Sequence, residues 1–151
     1  MHFDPASYLG GGERYPLNLA RGLIEASDGG CNVDLISYGE YPAERTLSPG
    51  LTLRVLPLAN PVPNPLDSLS WELPAALSQA DVVHVHQIFT RSSEVAVLAA
   101  KLLRKPVCVT DHGGANSSLG ASYGMLSVAD RVQCYSNFAA SLLRTPTPVE
   151  V

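Results

Sequence analysis

The chain has 151 residues, 46% of them hydrophobic, and a formal net charge of -4. That length suits one domain able to take roughly 70% of its unfolded surface out of water. A sequence pI near 5.4 excludes the basic stripe that nucleic acid or an anionic membrane surface requires, so no nucleic-acid partner is expected.

The chain opens unusually for an alternating α/β sequence. Only residues 1–3 precede Asp4, Pro5 and the run Gly10, Gly11, Gly12, so the first strand is nearly absent. Its loss would leave two neighbouring strands with exposed edges. A helix is predicted over 14–26, where Leu17, Ala20, Leu23 and Ile24 form an apolar stripe. Strands follow over 32–37 and 52–56. The stretch 60–65 holds three prolines in six residues, which reads as a surface loop before a helix over 67–79 capped by Asp67.

Beyond this point strand and helix alternate regularly: strands over 81–86, 106–110, 131–135 and 149–151, helices over 92–103, 117–127 and 137–143. Several strands are apolar nearly throughout, as strands covered on both faces are. The pattern predicts an α/β, Rossmann-like three-layer domain with a mostly parallel sheet. Cys31, Cys108 and Cys134 are odd in number and widely spaced, which points to reduced thiols and a cytoplasmic protein. No apolar run approaches the ~18 residues of a membrane span, and Met1, His2, Phe3, Asp4 and Pro5 lack signal-peptide order.

Three constellations carry chemistry. Gly10, Gly11 and Gly12 precede a helix start, where consecutive amides and the helix dipole suit a phosphate or a polar sugar; a plain surface turn is the alternative. The run is neither a dinucleotide fingerprint nor a Walker loop, since Tyr15 stands where the last glycine would be and no Gly-Lys-Ser/Thr follows. His84 and His86 project to one face of their strand, with His86 and Gln87 at its carboxyl end. A metal reading of His84, His86, Asp111 and His112 is weaker, because the compact HxHxDH spacing is missing. Asp111, His112, Gly113 and Gly114 end the next strand; there His112 can donate to a hydroxyl or phosphate and Asp111 can orient or charge it. All three sites fall at carboxyl ends of successive strands, where open α/β sheets bind ligands.

The order of GGGER, ADVVHVHQ, KPVCVTDHGG, ADRVQCYSNFAASLL and PVEV along the chain resembles the N-terminal domain of family-4 glycosyltransferases of the GT-B fold. The resemblance implies a retaining transferase that moves a sugar from a nucleoside-diphosphate sugar to a sugar, lipid or small-molecule acceptor, with no metal and no cofactor. It implies that His112 lies beside the transferred sugar, that Gly10, Gly11 and Gly12 meet donor phosphates or acceptor, that His86 and Gln87 lie near the acceptor, and that Ser136 faces the same cleft. Asp111 and Gly113 belong to the same motif as His112.

On that resemblance residues 1–151 are the acceptor-side domain and the C-terminal donor domain, with its basic pair and Glu-x7-Glu motif, is absent. The expectation is half an active site, inactive alone, with any membrane association of the full enzyme peripheral. The alternatives are a non-catalytic acceptor-binding module, or one half of a split enzyme whose C-terminal half is separately encoded. A nicotinamide-dependent oxidoreductase would need the spaced glycine fingerprint and an acidic residue ending the second strand; the fingerprint is missing and that strand ends at Ser37, Tyr38 and Gly39 before Glu40.

Overall fold

The computed structural model describes residues 11–59, 68–88, 90–112, 124–143 and 145–151. The predicted opening strand, Gly10, the loop over 60–65, the Asp67 cap and Gly113 lie outside them. The chain divides into two compact units, Met1–Trp71 and Glu72–Val151.

In the first unit, helix α1 (Gly11–Ala26) precedes strands β1 (Val33–Gly39), β2 (Ala43–Ser48) and β3 (Leu51–Pro57). The helix begins three residues before the expected start at Arg14, taking in Gly11 and Gly12. First-turn amides have no intrahelical partner in any case, so this extension loses no hydrogen bond. Leu17 and Ala20 pack with Leu51 in a small core, joined by Ile24, Val33, Leu35 and Leu47. Leu23 was expected in the stripe but is 48% exposed. At about 100° per residue it stands roughly 90° from the line through Leu17, Ala20 and Ile24. The helix closes with the Gly29 amide donating to the Ile24 carbonyl at 3.0 Å, with Asp28 and Gly29 both at positive φ.

Strand β3 is central, parallel to β1 and antiparallel to β2. The strand β2 was not expected. Its sequence, Ala-Glu-Arg-Thr-Leu-Ser, is mostly exposed, the polar composition of an edge strand rather than a core one. Its signal lay in the turn that follows. Pro49 and Gly50 link Ser48 to Leu51, and Gly50 has φ +77° with a Cβ position 3.3 Å from the Cys31 carbonyl oxygen, so a side chain there would be strained in its backbone and tight against its neighbour.

The second unit runs α2 (Leu73–Ser78), β4 (Val83–His86), α3 (Arg91–Leu102), β5 (Val107–Asp111), a short 3-10 turn (Gly124–Ser127), β6 (Arg131–Cys134), α4 (Asn137–Leu142) and β7 (Val149–Glu150). Its four strands are parallel in the order β4-β5-β6-β7. This is the α/β, Rossmann-like organisation the alternation predicts. The helix expected over 67–79 is shorter, with Glu72 before its first turn. Pro74 explains this: in a helix begun at Asp67 its ring would meet the Ser70 carbonyl, whereas at the second helical position it fits. Of the helix expected over 117–127, the described residues form only the 3-10 turn.

Strands β4, β5 and β6 are not apolar throughout. They alternate. Val83, Val85, Val107, Val109, Val132 and Cys134 are buried on one side, and His84, His86, Cys108 and Gln133 are only half-buried on the other. Helix α3 packs against β4 and β5 and contributes Val97 and Ala100, both fully buried; its N-cap is Thr90, whose hydroxyl accepts from the Ser93 amide. At the amino end of the sheet, Asp130 accepts from the Val107 amide at 2.7 Å and from Lys101 Nζ at 3.0 Å. Those bonds, the amide first and the ammonium second, hold its carboxyl below the usual carboxylate range. Among the described residues no helix is long and apolar enough to cross a membrane.

Leu51→Ala should destabilise the first unit by roughly 2–5 kcal/mol through the cavity left in its core, read from urea unfolding. Asp130 has a depressed folded-state pKa, so its contribution is complete above the ordinary carboxylate range and is lost as pH falls through the folded value. Asp130→Asn should therefore lower the unfolding midpoint at pH 7 and remove part of the acid sensitivity below pH ~4.

Candidate functional site

Parallel pairing sets which side chains meet. His86 pairs with Thr110 across β4 and β5, Thr110 with Gln133 across β5 and β6, and Asp111 with Cys134. Because strand side chains alternate with period two, His84, His86, Thr110 and Gln133 share one face, and His112 and Tyr135 extend it just past the strand ends. Two hydrogen-bonded rows result. In the lower row His84 Nε2 lies 2.6 Å from Thr110 Oγ1, and Thr110 Oγ1 donates to Gln133 Oε1 at 3.3 Å. In the upper row Tyr135 Oη lies 2.7 Å from His112 Nδ1, and His112 Nε2 lies 3.3 Å from His86 Nδ1.

The rows are joined by stacking. The His84 and His86 rings lie 4.2 Å apart, 29° from parallel, while Tyr135 meets His112 edge-on at 5.1 Å. Thr110 is fully buried, and its hydroxyl proton goes to Gln133, so the 2.6 Å contact is a donation from His84 Nε2–H. The lower row thus has one direction, histidine to threonine to glutamine.

Burial governs the charge of all three imidazoles. It lowers the His86 pKa from 6.5 to about 3, with the neighbouring His84 and His112 adding to the effect. His84 is lowered by burial and then by His112. His112 is also lowered by burial, opposed by the negative charge of Asp111. The expected role of Asp111 in charging His112 therefore exists as a field effect and is outweighed. Alternation along β5 places the Asp111 carboxylate, 0% exposed, with Val107 and Val109 rather than with the histidines.

At the end of β4, Gln87 takes φ +72°, an uncommon conformation for a residue with a side chain. It is held from both directions: its amide donates to the Thr110 carbonyl at 2.9 Å, and the Ser93 hydroxyl donates to its own carbonyl. A turn costing of order 1–3 kcal/mol persists only when its surroundings fix it in this way. The result aims the chain out of the sheet beside His86.

The structure thus brings together His86, Gln87 and His112 at one rim, while Asp111, which ends β5 just before His112, turns its carboxylate to the other face. Gly11 and Gly12 belong to the first turn of α1 in the other unit. Ser136 is the N-cap of α4, its hydroxyl accepting from the Ala139 amide at 3.1 Å. Sequence reasoning passed over Thr110, Gln133 and Tyr135 as site members. Their signal was the alternation of β5 and β6, readable only once the register between them is known. Among the described residues no group of three or more His, Cys, Asp or Glu side chains is disposed to hold a metal ion. All three cysteines are free thiols.

The carboxyl ends of the strands are where open α/β sheets bind ligands, which makes this polar, hydrogen-bonded rim of a Rossmann-like α/β domain the candidate site. Residues 9–151 match Glycosyltransferase Family 4, and the chain belongs to that family. A search of the curated proteins finds no match to it.

Since the histidines titrate lower in the folded protein than the ordinary 6.5, the unfolded chain binds more protons below that value. Stability should be complete above pH ~6.5 and decline as pH falls toward the folded pKa values. For His86, with a folded value of about 3, the loss at pH 5 amounts to at most roughly 2 kcal/mol. Urea unfolding from pH 7 to pH 4 should show this slope, and His86→Asn should flatten it.

Proposed function

We propose that this rim is the sugar-facing part of a retaining GT-B glycosyltransferase site, in which a sugar passes from a nucleoside-diphosphate sugar to an acceptor. The observation that carries the reading is the pair of hydrogen-bonded rows presenting neutral imidazoles at the carboxyl ends of β4 and β5. Neutral imidazole, phenol and carboxamide groups match the hydroxyls of a sugar. They are poorly suited to a diphosphate, whose charge calls for cationic side chains or convergent amides.

His112 is the group placed against the transferred sugar, with His86 and Gln87 beside it. Charge developing on the departing diphosphate is stabilised by other donors. The first turn of α1, at Gly11 and Gly12, offers backbone amides of its own that suit a phosphate or polar sugar group. On this reading the rim orients the sugar and shields the reacting bond, and supplies little of the electrostatic stabilisation of the leaving group. The residues 1–151 therefore bind a sugar weakly and transfer none by themselves.

The reading is tested by ligand-observed NMR of the purified chain with a panel of hexoses and nucleoside-diphosphate hexoses, beside a transfer assay. Weak hexose signals that fall by about fivefold or more in His112→Ala, the effect of one lost hydrogen bond, with no transfer, are expected. Tight nucleotide-sugar binding that survives His112→Ala would overturn it.

A further inference from the structure

The upper row raises a question that its family membership does not answer, because a neutral imidazole has two forms. With the proton on Nε2 it offers a donor there; with the proton on Nδ1 the same Nε2 is an acceptor. Which of these His112 presents decides whether it reads the lone pair of an oxygen or the proton of a hydroxyl. The choice belongs to whatever bonds the other ring nitrogen, and here that is the hydroxyl of Tyr135, 2.7 Å from Nδ1.

A phenol is a better donor than acceptor, since its oxygen lone pair is shared with the ring, and it ordinarily keeps its proton until about pH 10. An imidazole nitrogen without a proton is the stronger acceptor of the two. The hydroxyl of Tyr135 therefore donates to Nδ1, the proton of His112 resides on Nε2, and Nε2–H points to His86 Nδ1. At 3.3 Å that last contact is long beside the 2.7 Å contact from Tyr135, so it is the weaker of the two and the one a sugar oxygen can replace.

We propose that Tyr135 is a positioning residue that fixes His112 as the Nε2–H tautomer, so that the imidazole meets the sugar as a donor to an oxygen lone pair. This rests on the placement of His112 in the sugar site given above. Three features of the fold support it. The β5–β6 register brings Asp111 opposite Cys134, so His112 and Tyr135, one residue further on each strand, are neighbours by construction. The tyrosine ring meets His112 edge-on at 5.1 Å, which holds the imidazole plane while the hydroxyl holds its proton. The lower row, in which His84 is also protonated on Nε2 by its bond to Thr110, stacks beneath His86 and holds that ring in place.

The ligand class follows from the tautomer. A fixed Nε2–H selects a ring, glycosidic or hydroxyl oxygen acting as acceptor, and discriminates against a sugar in which that oxygen is replaced by hydrogen. It does not demand an anion, because the ring is neutral.

The test is long-range 1H–15N correlation on the full chain labelled with 15N-histidine, recorded above pH 7. Wild-type His112 should show a protonated Nε2 and an unprotonated Nδ1. In Tyr135→Phe, which retains the edge contact, the share of the Nδ1–H form should rise by roughly fivefold to tenfold, the equivalent of one lost hydrogen bond. Hexose binding should weaken in the same variant. A wild-type spectrum with the proton on Nδ1, or a tautomer unchanged in Tyr135→Phe, would sink the proposal, and the first of these requires no variant to fold. If the tautomer shifts in Tyr135→Phe while hexose binding is indifferent to His112→Ala, the control of the proton by Tyr135 stands and the sugar-site reading fails.

Discussion

The parallel register of β4, β5 and β6 is the constraint on which the site depends. Each strand contributes one or two polar residues that would be unremarkable alone. Pairing His86 with Thr110, and Thr110 with Gln133, places them in rows about 4.8 Å apart from strand to strand. A shift of one residue in either ladder would turn the polar residues of the strand that slips to the face occupied by Val83, Val85, Val107 and Val109, and the rows would be broken. The valine face resists that shift, since α3 packs against these strands and the valines would lose their burial. The apolar side of the sheet thereby fixes the arrangement of the polar side.

A second consequence is electrical. Three of the four histidines of the chain lie within stacking or hydrogen-bonding distance of one another, and burial disfavours charge on each. Protonating one would place an imidazolium against two others. The cluster is consequently a set of neutral, directional donors and acceptors, different in kind from a cationic anion-binding patch. Asp111, the carboxylate nearest in sequence, is turned to the apolar face, and its negative charge opposes the effect of burial on His112.

The supports of the site are made by short-range devices. Gln87 leaves β4 through a left-handed turn clamped by Thr110 and Ser93. Thr90 caps the helix that follows, and Ser136 caps α4 just after Tyr135. At the opposite end of the strands, Asp130 ties the amide of Val107 to Lys101. The caps and the tie use Thr, Ser and Asp, residue types suited to such places, whereas the Gln87 turn is held by its clamps.

Much of this was legible in the sequence. Alternating apolar segments determined the α/β class, the parallel strands and their approximate bounds, because burial of a strand face leaves a periodic record in residue type. The same periodicity put His84 and His86 on one face, and strand ends marked His86, Gln87 and His112 as rim residues. Where the sequence carried no such record, the expectation failed. The edge strand β2 has an exposed, polar composition, and Leu23 lies just outside its helical stripe. Pro74 did carry a signal, and it shortens α2. Only the tertiary structure decided that Tyr135, Thr110 and Gln133 belong to the site, that Asp111 faces away from it, and that the histidines are neutral. Those properties arise from register between strands and from burial, and both are relations between segments distant in the chain.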